Sequence, residues 1–285
     1  MVLNQIVWSV DPVIFQIGGF QLRYYSLLFA LGFILGYIIV KKLFERENIP
    51  IKELDRLLIF VVVGGLAGAR IGHCVFYDWA YFSQHPLEII LPVRFQPEFQ
   101  FTGFAGLASH GGAIGIIIAL ILFVRKSVLK NYLRILDFVA IPTALAGALI
   151  RIGNLMNSEI YGNETSLPWG FVFANNGDTV ASHPTQIYEA LSYLAIFAVL
   201  LILYNKNWKK KRHGFYIGLF LILVFIARFF IEFIKQPQVA FEANMTLNMG
   251  QILSIPFVII GIGLLIYSLR KKNPDSASES GQRND

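Results

Sequence analysis

The densest group of reactive side chains is Arg151-Ile-Gly-Asn154-Leu-Met-Asn157-Ser-Glu159-Ile-Tyr-Gly162. Arg151 brings a charge fixed at any ordinary pH and a donor fork that matches phosphate. Asn154 follows at helical spacing on the same face, and Glu159 can neutralise or orient a guanidinium. A plain tie between a helix and the next loop needs fewer polar groups than this. Arg228 and Glu232 stand four residues apart, so they can pair on one helical face and hold a guanidinium ready for an anion. Ser109-His110-Gly111-Gly112 offers an imidazole, a side chain able to accept a proton at neutral pH, beside two glycines that leave room for a ligand. The chemistry these residues suit is retention of an anion together with removal of one proton.

Weaker candidates surround them. Arg70 suits phosphate binding and snorkelling equally. His183-Pro184-Thr185-Gln186-Ile-Tyr188-Glu189 fits a helix start as well as a polar site. Tyr24 and Tyr25 suit either an aromatic interface or the site. Asp137 reads as an acidic residue at a helix N-terminus, and Cys74 as a small packing residue.

The elements that carry these residues are apolar. Of 285 residues, 55% are hydrophobic and 15% charged, against roughly 25% charged in soluble domains. An all-α polytopic membrane protein follows. The net charge of +6 comes from short basic blocks between apolar runs, the pattern of cytoplasmic loops rather than of a nucleic-acid surface. One cysteine excludes an internal disulfide framework. The N-terminus shows no basic region followed by a short apolar core and cleavage site, so no removable signal peptide is expected. Residues 1–272 read as a single transmembrane bundle and 273–285 as a polar, disordered tail.

Seven apolar segments run near 22–40, 57–77, 103–124, 136–156, 187–204, 214–234 and 250–269. The blocks after the first, third, fifth and seventh hold 18 of the 24 Lys and Arg; the alternate loops hold Arg23, Arg94 and Lys235. The positive-inside rule puts the N-terminus outside and the C-terminus in the cytoplasm. Segments two, four and six then run outward, and Arg70, Arg151 and Arg228 lie 13, 15 and 14 residues past their starts. At ~1.5 Å per residue all three reach about 20 Å above the cytoplasmic face. His110, seven residues into the inward-running third segment, meets them about 10 Å below the outer face. Three guanidiniums in lipid, each costing at least ~2.5–3.5 kcal/mol there, imply an anionic ligand, an internal ion pair, or both.

An anion transporter satisfies the same inventory, although the odd number of segments shows no clear inverted repeat. An intramembrane protease does not: Ser109 and His110 are helix neighbours that face apart, and Asp137 lacks a second membrane aspartate.

The chain resembles the prolipoprotein diacylglyceryl transferase family over essentially its whole length. The 151–162 run looks like the family signature, with Leu155 where members usually have Phe and Ser158 where they have Gly. Ser109–Gly112 is similar to a His-Gly-Gly element, and His183–Glu189 to a His-Pro-x-Gln segment. Arg228-Phe-Phe-Ile-Glu232 resembles an Arg-x-x-x-Glu element; Val224 replaces a tyrosine often found four residues earlier. Tyr24-Tyr25-Ser26 resembles a Tyr-Gly pair, with Ser26 for Gly.

The resemblance implies a multi-pass enzyme of the bacterial plasma (inner) membrane, with its active site in the outer half of the membrane. It implies transfer of diacylglyceryl from phosphatidylglycerol to the lipobox cysteine of a prolipoprotein signal peptide, among membrane lipids, releasing glycerol-1-phosphate. No metal or organic cofactor and no nucleic acid is implied. Expected catalytic residues are His110, Arg151 and Arg228. Expected substrate-binding residues are Arg151, Asn154, Glu159, Gly162, Arg228, Glu232, Tyr25, Arg70, His183 and Gln186.

Overall fold

The computed structural model describes residues 5–18, 20–91, 93–95, 99–101, 106–206, 213–237, 242 and 245–270. The tail expected at 273–285 lies outside them. Six helices among the described residues are long and apolar enough to cross a membrane. They are α1 (Tyr24–Arg46), α2 (Ile51–Phe76), α6 (Tyr132–Met156), α7 (Thr185–Asn205), α8 (Phe215–Ile231, continued by a 3₁₀ turn at Glu232–Ile234) and α9 (Met249–Arg270). Among the described residues there are also a further apolar helix, α5 (Ser109–Lys126), and two one-turn helices, α3 (Trp79–Phe82) and α4 (Leu87–Ile90). The chain is thus a mostly helical, multi-pass membrane protein. Among the described residues three two-stranded ribbons, which hydropathy does not reveal, join β1 (Ile6–Trp8) to β6 (Phe171–Phe173), β2 (Val13–Ile17) to β3 (Phe20–Arg23), and β4 (Val93–Arg94) to β5 (Gln100–Phe101).

The backbone groups into two compact units: residues 1–40 with 136–285, and residues 41–135.

In the 41–135 unit, small residues decide the packing. A Cβ on Gly72 would come within 2.7 Å of the Gly111 Cα, and one on Gly115 within 2.8 Å of the Gly68 Cα. The backbones of α2 and α5 therefore touch, as small-residue stripes in membrane helices allow. The approach is close enough for the Ala108 amide to donate to the Ala69 carbonyl at 2.9 Å. The glycines beside His110 thus serve helix contact: Gly111 meets Gly68 and Gly72, and Gly112 faces Ala69. This corrects the expectation that they leave space for a ligand. The third segment also starts later than its hydropathy indicates. Gly106 has φ +78°, a left-handed conformation that interrupts a right-handed helix. His110 therefore sits in the first turn of α5, one residue in rather than seven, and is exposed.

The larger unit is tied at both ends of its helices. Asp137, in the first turns of α6, accepts the Gly214 amide at 2.7 Å and the Ile217 amide at 2.9 Å. Its carboxylate so serves the N-terminus of α8, whose first amides have no partner within the helix. Gly218 and Gly261 let α8 and α9 meet: a Cβ on Gly261 would lie 2.9 Å from Ile222 Cγ1. At the far end of α6, Leu155, Phe171 and Phe173 form a small core with Trp8, Tyr161 and Ile187 against it. The Trp8 indole donates to the Leu155 carbonyl at 3.0 Å, anchoring the β1–β6 pair on the exit of α6.

Candidate functional site

The C-terminus of α6 sets the site. The Ser158 amide donates to the Leu155 carbonyl at 2.9 Å, and the Glu159 amide reaches back to Asn154 at 3.0 Å. This paired closure is a Schellman motif, which puts its fifth-position residue in the left-handed region and favours glycine there. Here that residue is Ser158, with φ 53°, and Ile160 follows with φ 61°. The two reversals fold the chain so that Glu159 turns back toward the helix it has just left.

A chain of polar contacts results. The Arg151 Nη1 donates to Asn154 Oδ1 at 3.2 Å, and Asn154 Nδ2 donates to Glu159 Oε1 at 2.8 Å. Asn157 Nδ2 donates to the same carboxylate oxygen at 3.2 Å. Tyr25 packs on Gly153, where a Cβ would come within 2.8 Å of its ring. Its hydroxyl lies in the field of Glu159 and Arg151. Gln186, fully buried, donates from Nε2 to the Glu159 carbonyl at 2.7 Å, and the Thr185 hydroxyl donates to the Ile160 carbonyl at 3.1 Å. The first turn of α7 therefore fixes the strained loop.

Glu189, one turn further along α7, was no more than part of a motif in sequence. It proves to be the hub: it is 0% exposed, its Oε2 lies 3.0 Å from Arg151 Nε, and its Oε1 lies 3.3 Å from Lys235 Nζ. Lys235 also faces Glu232 Oε2 at 3.6 Å. Burial lowers the Lys235 ammonium from its usual value, and the two carboxylates oppose that. Tyr193 interacts with the Arg151 guanidinium and, like Lys235, lies in the field of both Arg151 and Arg228. Sequence gave Lys235 no role beyond a loop charge, because its partners are distant in the chain.

The expected Arg228–Glu232 pair does not form. The α-helix ends at Ile231, yet Glu232 keeps helical dihedrals and its amide donates to the Arg228 carbonyl, so the four-residue alignment survives and the carboxylate turns elsewhere. Glu232 instead packs against Gly250, where a Cβ would lie 2.6 and 2.7 Å from its two carboxylate oxygens. Its carbonyl accepts the Asn248 side chain at 3.2 Å. Arg228, half-buried, has no hydrogen bond or ion pair among the described residues.

Gly162 and His183 support the loop. The Gly162 amide donates to the His183 carbonyl at 2.8 Å, and Gly162 pairs with Lys235 as an isolated bridge. A Cβ there would press on the Ile234 carbonyl and on His183 and Thr185 at 2.8 Å. The His183 ring stands 3.3 Å from the Tyr188 hydroxyl, which also accepts the Trp169 indole at 2.9 Å.

Arg70 and His110 belong to the other unit. Arg70 is buried, donates to the Glu88 carbonyl at 2.6 Å and the Ile89 carbonyl at 3.1 Å, and sits over the Phe82 ring at 4.8 Å. It closes the C-terminal end of α4, where carbonyls need donors. Beside it, the Phe95 amide, then the Tyr81 hydroxyl, hold the Glu88 carboxyl below its ordinary range. No group of three or more His, Cys, Asp or Glu among the described residues is placed to hold a metal.

Fold and site together define a multi-pass membrane protein with a buried, cation-rich cluster at the ends of three long helices. The family model of the prolipoprotein diacylglyceryl transferases matches residues 12–267, and the chain belongs to that family. It is similar to the phosphatidylglycerol–prolipoprotein diacylglyceryl transferases of Bacteroides fragilis, 46% identical over 95% of this chain and 98% of the relative. It resembles that of Tolumonas auensis at 45% identity over 94% and 99%. The Porphyromonas gingivalis enzyme of the same name is 46% identical over 94% and 96%.

Proposed function

We propose that the chain transfers the diacylglyceryl group of phosphatidylglycerol to the lipobox cysteine thiol of a prolipoprotein, forming a thioether and releasing glycerol-1-phosphate. The observation that carries this reading is Arg228. It is a half-buried guanidinium with no ion pair among the described residues, beside a cluster in which Arg151 and Lys235 already share Glu189. A guanidinium left unneutralised in a low-dielectric site is a receptor for an anion.

The sulfur attacks the glycerol carbon, a C–S bond forms, and the C–O bond to phosphate breaks with its electron pair leaving on the phosphate. The thiol proton (reference pKa ~8.5) must leave before or during attack. Arg228 and Arg151 stabilise the charge that grows on the leaving phosphate. Asn154 and Glu159 fix the Arg151 fork and orient the head group, with Tyr25 at the same edge. Gly162, His183 and Gln186 hold the loop that presents them, and Glu232 borders the head-group site. His110 receives the thiol proton and Arg70 adds positive charge for the lipid; these two assignments rest on the family resemblance. The reaction uses no metal or organic cofactor.

The setting belongs to the same proposal: seven crossings, N-terminus outside, C-terminus in the cytoplasm, and chemistry in the outer half of a bacterial plasma (inner) membrane. The basic blocks after alternate segments support that orientation. Purified protein incubated with phosphatidylglycerol vesicles and a lipobox peptide should add one diacylglyceryl mass to the peptide cysteine. An unmodified peptide, with the lipid merely moved between leaflets, would replace transfer by transport.

A further inference from the structure

We propose that Lys235 is a positioning residue: it holds Glu189 and Glu232 together and so keeps Arg228 free for the lipid phosphate. The inference rests on the function proposed above. Its basis is a buried four-member chain, Arg151–Glu189–Lys235–Glu232. The successive N···O distances are 3.0, 3.3 and 3.6 Å, and the Lys235 side chain is 1% exposed. One ammonium is therefore shared by two carboxylates, each almost wholly withdrawn from water.

Two carboxylates this close repel strongly at low dielectric unless a cation sits between them. Without Lys235 each must find another partner. Glu189 already has Arg151 at 3.0 Å. For Glu232 the nearest route is Arg228, four residues back along the same element. Side chains at that separation on a helix meet readily. Capture of Arg228 would cancel the charge meant for the phosphate.

Two features hold Glu232 away from Arg228. Gly250 leaves room for its carboxylate on the side of α9, and Lys235 supplies the competing cation. Lys235 acts at a second point as well. Its backbone bridges Gly162, and the Asn163 amide donates to the Ile234 carbonyl at 2.8 Å. The ammonium is thus fixed to the same loop that carries Glu159.

The test measures transfer to a lipobox peptide while the mole fraction of phosphatidylglycerol in mixed micelles is varied. Lys235→Met should raise the apparent KM for the lipid about tenfold or more, as the loss of a charged contact to an anion does. The change in kcat should be smaller than that in KM. Lys235→Arg should restore most of the KM. Adding Glu232→Gln to Lys235→Met should lower the KM again, because the amide no longer neutralises Arg228.

An unchanged KM in Lys235→Met, or Lys235→Arg no better than Met, overturns the proposal. If Lys235→Met does not accumulate, the double variant decides. A folded double variant with the lower KM supports the positioning role; failure of both to accumulate makes Lys235 a structural tie and overturns it. Failure of the underlying reading looks different: wild-type protein would then form no thioether at all.

Discussion

Replacing Ser158 by glycine should make the protein more stable. Ser158 occupies the left-handed position of the Schellman closure with φ 53°, and its buried hydroxyl has no hydrogen-bond partner. Left-handed backbone costs a residue with a Cβ roughly 1–2 kcal/mol, and an orphaned buried polar group costs about 1–3 kcal/mol. Glycine removes both terms and gives back about 0.4–1 kcal/mol through the greater freedom of the unfolded chain. The net gain is about 1–4.6 kcal/mol. Ser158→Ala removes the hydroxyl and keeps the strain, so it should gain less, about 1–3 kcal/mol. In a chain of this size each kcal/mol moves Tm by about 2–4 °C. Thermal unfolding of wild type, Ser158→Ala and Ser158→Gly in one detergent should therefore give Tm values rising in that order. A glycine variant less stable than wild type, or an alanine variant matching glycine, would refute the reasoning. The usual glycine at this position in the family is what the backbone angle calls for.

Other outcomes are as definite. Arg151→Ala should still insert in the membrane but lose turnover by ~10²–10³, the effect of removing one preorganised donor; near-normal turnover of the purified variant would remove Arg151 from the site. His110→Asn should flatten the pH–rate profile on its acid limb, whereas an unchanged profile would rule out His110 as the base. Gly111→Val should separate α2 from α5, and overpacking of this kind costs about 1–3 kcal/mol, readable as a lowered Tm. Glu88 is held below its ordinary pKa by Phe95 and Tyr81. Its stabilising contribution is therefore complete above the unfolded value of about 4.3 and is lost as pH falls through the folded one. Protection of the Phe95 amide against exchange should fall over that acid range in wild type, and Glu88→Gln should remove that fall.

What was legible in the sequence was mostly local. Arg151, Asn154 and Glu159 lie within nine positions of one another, so helical spacing and one loop were enough to join them. The long apolar runs gave the helices because burial in lipid demands continuous hydrophobicity. One error came from backbone punctuation and one from a competing cation. Gly106 delays the start of α5 and moves His110 into its first turn. At Glu232 the helical spacing survives, but the carboxylate turns to Lys235 and the gap at Gly250 instead of to Arg228. The pairing of Glu189 with Lys235 escaped notice for a different reason. Their contact joins residues 46 positions apart, and no period in a single sequence encodes such a pair. Buried charges in a chain this apolar were nevertheless a signal that partners had to exist.

The central claim is that Arg228 and Arg151 hold the lipid phosphate. A structure of the protein with an unreactive phosphatidylglycerol analogue tests it most directly. The account predicts phosphate oxygens at about 2.7–2.9 Å from both guanidiniums, with the Lys235–Glu189 contact intact. A phosphate bound elsewhere in the molecule, with Arg228 turned onto Glu232, would contradict it.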